Sequence, residues 1–283
     1  MTTSLLRSVS DAMTKHRWTP VAPGAWTTTV TNGASVPVVA RLEGEWLRVE
    51  AELPERPEAN RFPWLFKNAT LPPLVRLAFL PAHDRAMPLG LIADLAEDGG
   101  GWSARVEVAL VSFHSALHRI HAPATVADQL PPDTARLESV RDRIRESGVT
   151  AALENETGSA MPHVEPRATG LALWVPLVRN MASADDERGE AIALFLLASM
   201  NRLRAVRAAA RREGAASGIT LGWEAPLSAL PEAPEIERAL TALTVACERS
   251  RRELEALACK AVSKRYLSQF GECRPRRSPL TAA

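Results

Sequence analysis

Cysteine is scarce in this chain of 283 residues. The spacing of the cysteines matches neither a metal-binding motif nor a disulfide framework. Cys247, Cys259 and Cys273 come late in the sequence and are odd in number. Cys247 and Cys259 fall on one predicted helix, roughly 18 Å apart at ~1.5 Å per residue, so they cannot pair with each other there. The simplest interpretation is a reduced, cytoplasmic protein.

An excess of charge of one sign is also missing, as are long apolar runs. The 34 basic and 33 acidic residues cancel, so no global field recruits nucleic acid or an anionic membrane. The most apolar helical stretch, Ala191 to Met200, is about half of a membrane span. Met1 to Arg7 lacks the apolar run of a signal peptide. We therefore expect a soluble protein with no nucleic-acid or membrane partner.

Motifs of catalysis and cofactor binding are absent as well. The sequence has no nucleophile elbow, Walker-type loop or dinucleotide fingerprint. A triple glycine, Gly99 to Gly101, precedes a predicted helix, but no residue follows it in phosphate-binding register. The expectation is a protein without catalytic residues, cofactor or resident metal.

The chain does contain a repeated segment. Asn68 opens one copy and Asn201 opens the other. With one single-residue gap, the matched positions are Leu71 with Leu203, Leu89-Gly90 with Leu221-Gly222, Ala93 with Ala225, and Leu95 with Leu227. Each copy continues into a long amphipathic helix. The pattern predicts a duplicated helix–strand–helix unit and hence two domains of ordinary size.

The first half reads as helix, three strands, helix, strand, helix. The predicted elements are a helix over 4–17, a strand over 26–30, a hairpin over 36–51, a helix over 62–80 restarted at Pro72-Pro73, a strand over 88–95 and a helix over 102–120. One hairpin face is apolar. The other face is predicted to be solvated and carries Arg41, Trp46, Arg48, Glu50 and Glu52.

The second half is richer in predicted helix. Its elements are a helix over 133–146, short strands over 149–153 and 171–175 with turns between, a helix over 185–213, a strand over 219–227 and a helix over 234–268. The predicted division of the chain is residues 1–122, a proline-rich linker over 123–133, a second lobe over 134–268 and a basic tail over 269–283.

This layout resembles the type III secretion chaperone-like fold, which includes the Tir-chaperone type and the YbjN-type bacterial proteins. The similar segments are Trp64 to Asn68, Leu74 to Leu77, Leu89 to Leu95 and the helix from Val106 to Ile120. The similarity covers about residues 20–122, and 134–265 in degenerate form. Because members of this family usually dimerise through the domain, the resemblance implies an α+β protein of two chaperone-like lobes. Each lobe is an antiparallel sheet covered by helices, and together they form an intramolecular pseudo-dimer.

The resemblance further implies a non-catalytic chaperone, adaptor or regulator that binds a protein or peptide as a monomer or weak dimer. An open sheet edge could accept an added strand. Trp46, Arg48 and Trp64 are the predicted partner-binding residues, since strand alternation points Trp46 away from the apolar face. The alternative is an enzyme or small-ligand sensor with a pocket between the halves. Its candidate groups are His83, Asp84, His163 and Glu165.

Other polar clusters allow two interpretations each. His114, His118 and His121 share a helix face with Glu107, but Ser115 stands where a catalytic zinc helix would carry glutamate, so a solvated face is favoured over a metal site. A basic helix end is favoured over a nucleic-acid site for Arg202, Arg204, Arg207, Arg211 and Arg212. Trp102, Trp174 and Trp223 are weaker groove candidates than Trp46. Asn68 and Asn201 are interpreted as structural residues that cap a helix or hydrogen-bond a neighbouring strand.

Overall fold

The structure, a computed structural model, describes residues 3–32, 34–54, 60–80, 88–97, 101–121, 134–146, 162–167, 170–181, 186–213, 216–226 and 233–271. The helices in these ranges are α1 (Thr3–Lys15), α2 (Phe62–Thr70), α3 (Gly101–His121), α4 (Thr134–Glu146), α5 (Glu187–Met200), α6 (Ala233–Leu257) and α7 (Lys260–Phe270). The strands are β1 (Thr19–Ala22), β2 (Ala25–Asn32), β3 (Ala34–Glu43), β4 (Trp46–Glu52), β5 (Val75–Phe79), β6 (Leu89–Leu95), β7 (His163–Arg167), β8 (Gly170–Met181), β9 (Arg207–Glu213) and β10 (Ala216–Pro226).

The first sheet has six antiparallel strands in the order β1-β2-β3-β4-β6-β5. Ala40 lies opposite Val49, and Val49 opposite Ala93, so alternating apolar side chains from three strands share one face. Helix α3 packs on β2, β5 and β6, and α1 packs against α3. The predicted α1, the β3–β4 hairpin, β6 and α3 are confirmed.

The second sheet has four antiparallel strands in the order β7-β8-β10-β9. Leu173 and Leu221 are buried on one of its faces, which α6 covers at β8 and β10. Helix α4 packs on β7 and on α6. Two antiparallel sheets with their own helices confirm the predicted α+β class.

The two sheets share one order of connections. In each, a hairpin is followed by a helix and a second hairpin, and the later strand of that second hairpin pairs with the first hairpin: β3-β4-β6-β5 and β7-β8-β10-β9. The intervening helices are α2 and α5, and the helices that follow are α3 and α6. The repeated segment is therefore helix, strand, strand, helix, with one strand more than the predicted unit.

Two predicted helices are wrong in their C-terminal halves, and both errors fall on this extra strand. Helix α2 ends at Thr70 and β5 follows it, because Pro72-Pro73 cannot continue the helical hydrogen bonds and Leu74 has a φ of 71°. Helix α5 ends at Met200, and β9 occupies the region expected to be helical. Alanine and arginine favour helices in isolation, but pairing of β9 with β10 overrides that preference.

Further corrections concern the C-terminal part. The helix predicted over 234–268 is two helices, because Cys259 is extended (φ −80°, ψ 119°) between α6 and α7. Part of the stretch expected to be turns forms β7. The strand expected at 149–153, the linker 123–133, the tail from residue 272 onward, and His83 with Asp84 lie outside the described residues.

Candidate functional site

The polar face of the first sheet is not solvated where the prediction placed water. Helix α5 packs on β5 from that side, and Arg48 is only 7% exposed. The predicted solvated face is therefore wrong at Arg48, although Arg41 remains exposed and pairs with Glu50 at 2.9 Å. The cause is a tertiary contact with the second half of the chain, which the alternation within one hairpin cannot reveal.

Asp94, on β6, is the centre of a buried ionic cluster and is 3% exposed. Its Oδ1 accepts hydrogen bonds from Arg48 Nε at 3.1 Å and from Arg204 Nη1 at 3.0 Å. Its Oδ2 accepts from Arg76 Nη2 at 2.5 Å and from the backbone N–H of Ala205 at 3.0 Å. Two of these donors belong to the turn between α5 and β9, so one carboxylate ties the two sheets together. We call Asp94 with Arg48, Arg76 and Arg204 the Asp94 cluster.

Charge compensation keeps this cluster ionised. Burial alone would raise the pKa of Asp94, but the positive charges of Arg76 and Arg48 and the N–H of Ala205 lower it to about 2. Burial would likewise lower the pKa of Arg204, yet its hydrogen bonds to Glu43 and Asp94 raise it. Burial lowers the pKa of Arg76. An anionic Asp94 is thus held among three guanidinium groups.

The C-terminal end of each intervening helix is capped by an arginine from the other sheet. Arg76 of β5 donates to the carbonyls of Met200 and Leu203 at the end of α5, at 3.1–3.2 Å and 2.9 Å. Arg207 of β9 donates to the carbonyls of Asn68 and Leu71 at the end of α2, at 3.1 and 3.0 Å. Carbonyls at a helix end lack helical partners and favour cations.

Each capping arginine also has an acidic partner on the neighbouring strand of its own sheet. Arg76 lies opposite Ile92 and pairs with Asp94, two residues further along β6. Arg207 lies opposite Gly222 and pairs with Glu224 at 3.2 Å, two residues further along β10. Both arginines are nearly inaccessible. The two arginine–carboxylate pairs therefore have the same position relative to the paired strands.

The strand pairing around these two arginines changes the alignment of the repeated segments. If Arg76 corresponds to Arg207, then Gly90 corresponds to Thr220 rather than to Gly222, so the predicted match through the two Leu-Gly pairs is wrong. The capped carbonyls match Asn68 with Met200 and Leu71 with Leu203, so a single-residue gap falls between these carbonyls and the arginines. Leu74 and Ala205, each two residues before its arginine, have left-handed φ angles of 71° and 53°.

Asn68 and its counterpart hold the edges of the two outer strands. Asn68 Oδ1 accepts from the N–H of Leu77 at 2.7 Å, and its Nδ2 donates to the carbonyls of Leu77 and Ala208. Met200 Sδ accepts from the N–H of Ala208 at 3.1 Å. A structural role for Asn68 is confirmed. Asn201 makes a different contact, since its side-chain and backbone oxygens accept from Arg48.

A small cavity of about 50 Å³ lies between the sheets and is lined by matched residues from both. The matched pairs are Leu74 with Ala205, Arg76 with Arg207, and Asp94 with Glu224. Trp46, Trp223, Arg105, Glu235 and Arg238 complete most of the remaining wall. We call this cavity the intersheet pocket. Its volume suits a few water molecules or a very small ligand.

A larger open groove of about 610 Å³ lies next to the pocket and shares Trp46, Arg238 and Ala242 with it. Its walls are the β3–β4 turn with Glu45 and Trp46, the α5–β9 turn with Arg202, Leu203 and Arg204, and one face of α6. The α6 residues are Pro234, Glu237, Arg238, Thr241, Ala242, Val245 and Arg249. Their spacing of three and four residues defines a continuous helical stripe. We call this feature the α6 groove.

The predicted partner-binding residues lie in different surroundings. Trp46 is half-buried and lines both cavities. Arg48 is occupied by Asp94 and Asn201 in the interior. Trp64 is half-buried on α2 and belongs to the lining of neither cavity. Sequence reasoning missed the stripe on α6, whose arginines could have been recognised by their helical spacing.

The other tryptophan candidates are buried. Trp102 and Trp174 are 3% and 2% exposed, and Trp223 lies in the wall of the intersheet pocket. The ring of Trp174 fills the space above Gly222, and the guanidinium of Arg211 lies 4.1 Å from its centroid. Arg207 and Arg211 thus belong to a strand, and the prediction of a solvated helix end is wrong for them.

The remaining candidates lie apart from this region. His114 and His118 are exposed on α3 with ring centroids 4.9 Å apart. His163 and Glu165 lie on β7, where Glu165 pairs with Arg211 at 2.8 Å. Across the described ranges, no group of three or more His, Cys, Asp or Glu residues is arranged to hold a metal ion. No helix in the described part of the chain is long and apolar enough to cross a membrane.

No protein-family model matches the chain, and no curated protein matches its sequence.

Proposed function

We propose that the protein is a non-catalytic protein- or peptide-binding molecule in which two type III secretion chaperone-like lobes form an intramolecular pseudo-dimer. The reciprocal arginine caps support the pseudo-dimer. In a two-fold interface every contact occurs twice with the partners exchanged. Arg76 to Met200 and Arg207 to Asn68 are such a pair, and the matched left-handed residues Leu74 and Ala205 are a second sign.

The α6 groove carries the binding proposal. It joins both lobes, its volume falls in the ~300–1,000 Å³ range of ligand sites, and it combines an accessible tryptophan with several arginines. Strand addition is less well supported. The outer strands β5 and β9 are covered by α5 and α2, while β1 and β7 carry Pro20 and Pro166, residues typical of protected edges.

On this proposal the protein acts in the cytoplasm as a chaperone, adaptor or regulator, and as a monomer or weak dimer. The thiol of Cys259 is free among the described residues, which suits a reducing compartment. Its partner is a protein or peptide rather than nucleic acid or membrane.

Site-specific photo-crosslinking tests the groove. A benzoyl-phenylalanine at Thr241, exposed in the groove, should give a discrete adduct in the native host. The same group at Val111, 65% exposed on α3, is the control. Trp46→Ala should abolish the Thr241 adduct without changing the circular dichroism. Equal adducts at the two positions, or none at Thr241, would contradict the proposal.

A second candidate is a small-anion sensor that uses the intersheet pocket. Arg76 lines that pocket, and its Nη1 is buried without a hydrogen-bond partner among the described residues. A buried guanidinium nitrogen favours an acceptor. Calorimetric binding of chloride or acetate that Arg76→Met removes, with no crosslink at Thr241, would favour this candidate over the first.

A further inference from the structure

The α6 groove carries more positive than negative charge. Four of its lining residues are arginines, and two are glutamates. Arg204 is already paired with Glu43 and Asp94. Within the described ranges, Arg202 and Arg249 make no ion pair, and Arg238 reaches only the carbonyl of Glu97 at 3.4 Å. Three guanidinium groups therefore line the groove without an ion pair to a described carboxylate, and they outnumber the two glutamates of the lining.

These charges flank an apolar strip. Ala242 and Val245 lie between Arg238 and Arg249 on the same stripe of α6, and Leu203 and Trp46 face them across the groove. Arg238 and Arg249 are eleven residues apart on the helix, or about 17 Å at ~1.5 Å per residue. A ligand that fits this pattern has apolar side chains in its middle and carboxylates toward both ends.

We infer that the occupant of the α6 groove is an acidic amphipathic peptide segment of a partner protein, an inference that rests on the proposed function. Its apolar residues pack on Trp46, Ala242 and Val245. Its carboxylates pair with Arg238, Arg249 and Arg202, since arginine binds carboxylates through parallel hydrogen bonds. Nucleic acid fits less well, because the strip between the arginines is apolar, whereas a nucleic-acid backbone carries closely spaced phosphate charges along its whole length.

Fluorescence anisotropy with designed peptides tests this inference on the full chain. The probes are labelled amphipathic peptides of about 16 residues, long enough as a helix to follow the stripe. All share the same leucines, and their polar positions are all glutamate, all glutamine or all lysine. We expect the glutamate peptide to bind at least about tenfold more tightly than the glutamine peptide, and the lysine peptide not to bind.

Charge reversal on α6 supplies the specific control. Arg238→Glu with Arg249→Glu should abolish binding of the glutamate peptide and create binding of the lysine peptide. Arg7→Glu, an exposed change on α1 outside the groove, should leave the order unchanged. A labelled single-stranded oligonucleotide should not bind. Sedimentation of the parent protein should not reveal a dimer that dissociates on charge reversal.

The results that would contradict the acidic occupant differ from those that would contradict the proposed function. Five results would each overturn the acidic occupant. The three peptides could bind equally, the lysine peptide or the oligonucleotide could bind best, a second copy of the chain could occupy the groove, or no peptide could bind. If the Thr241 crosslink persists in that case, the groove still binds a protein of other chemistry. If the crosslink is also absent, the proposed function fails as well.

Discussion

Asp94 accepts four hydrogen bonds that join distant parts of the described structure. It holds Arg76 and Arg48 of the first sheet and Arg204 and Ala205 of the turn between α5 and β9. A buried ion pair stabilises little in itself, because desolvation offsets the attraction. Removal of one partner is nevertheless costly, because the remaining charges stay buried. The cluster therefore fixes how the two sheets meet more than it adds net stability.

We expect Asp94→Asn to lower the free energy of unfolding by about 3 kcal/mol or more, measured by urea denaturation. The effect depends on pH. The folded pKa of Asp94, about 2, lies below its unfolded value near ~3.9, so its stabilisation is fully present above about pH 4. That stabilisation, on the order of 2 kcal/mol, is lost as the pH falls through about 2.

The difference in stability between the parent and Asp94→Asn should therefore shrink from pH 5 toward about pH 2, because the protonated aspartic acid resembles asparagine. Asp142→Asn is the control. Its exposed pair with Arg145 spans one turn of α4, and the change should cost less than about 1 kcal/mol at any pH. A constant difference over this pH range would show that the charge of Asp94 is not the cause.

At the level of elements, the sequence predicts what is local and misses what depends on distant pairing. Apolar residues recur every four and three residues in α3 and every second residue in β3 and β4, because one side of each element faces the core. Both patterns are visible in the sequence, so these elements were predictable. Strand β9 was not, since Arg207 to Glu213 has helix-forming residues and becomes a strand only through β10. The second half of the chain covers the polar stripe on which Arg48 lies. No local sequence pattern can reveal that contact.

Close packing of β8 against β10 yields a prediction at this scale. Trp174 lies opposite Gly222, and a Cβ added there would come within 2.2 Å of the indole ring. We expect Gly222→Ala to destabilise the protein by about 1–3 kcal/mol in urea denaturation, because the buried ring has no space to move.

Trp174→Leu supplies the matching test through a double-mutant cycle. In the Trp174→Leu background the added methyl group has space, so Gly222→Ala should cost much less than it does alone. Equal costs in both backgrounds would place the strain in the backbone of β10 and not in the indole contact.

At the scale of the whole molecule, each sheet supplies hydrogen bonds to the helices that accompany the other sheet. The ends of α2 and α5 have their carbonyls capped by Arg207 and Arg76 across the interface. Asn68 bonds both Leu77 and Ala208, so one amide holds the outer strands of both sheets. One sheet with its helices alone would leave these arginines and helix-end carbonyls to water and would lose the stabilisation of the hydrogen bonds between the two sheets.

Cleavage of the full chain tests this dependence. A protease site inserted within residues 123–133, the predicted linker, allows the folded protein to be cut into two fragments. We expect the cut fragments to co-elute in size-exclusion chromatography, because the interface is buried and its arginines hydrogen-bond to the opposite helix ends in both directions. Cutting the Arg76→Met, Arg207→Met double variant should release the fragments, whereas Arg7→Glu should not. Separation of the parent fragments in native buffer would mean that the covalent connection, and not the reciprocal capping, holds the two parts of the chain together.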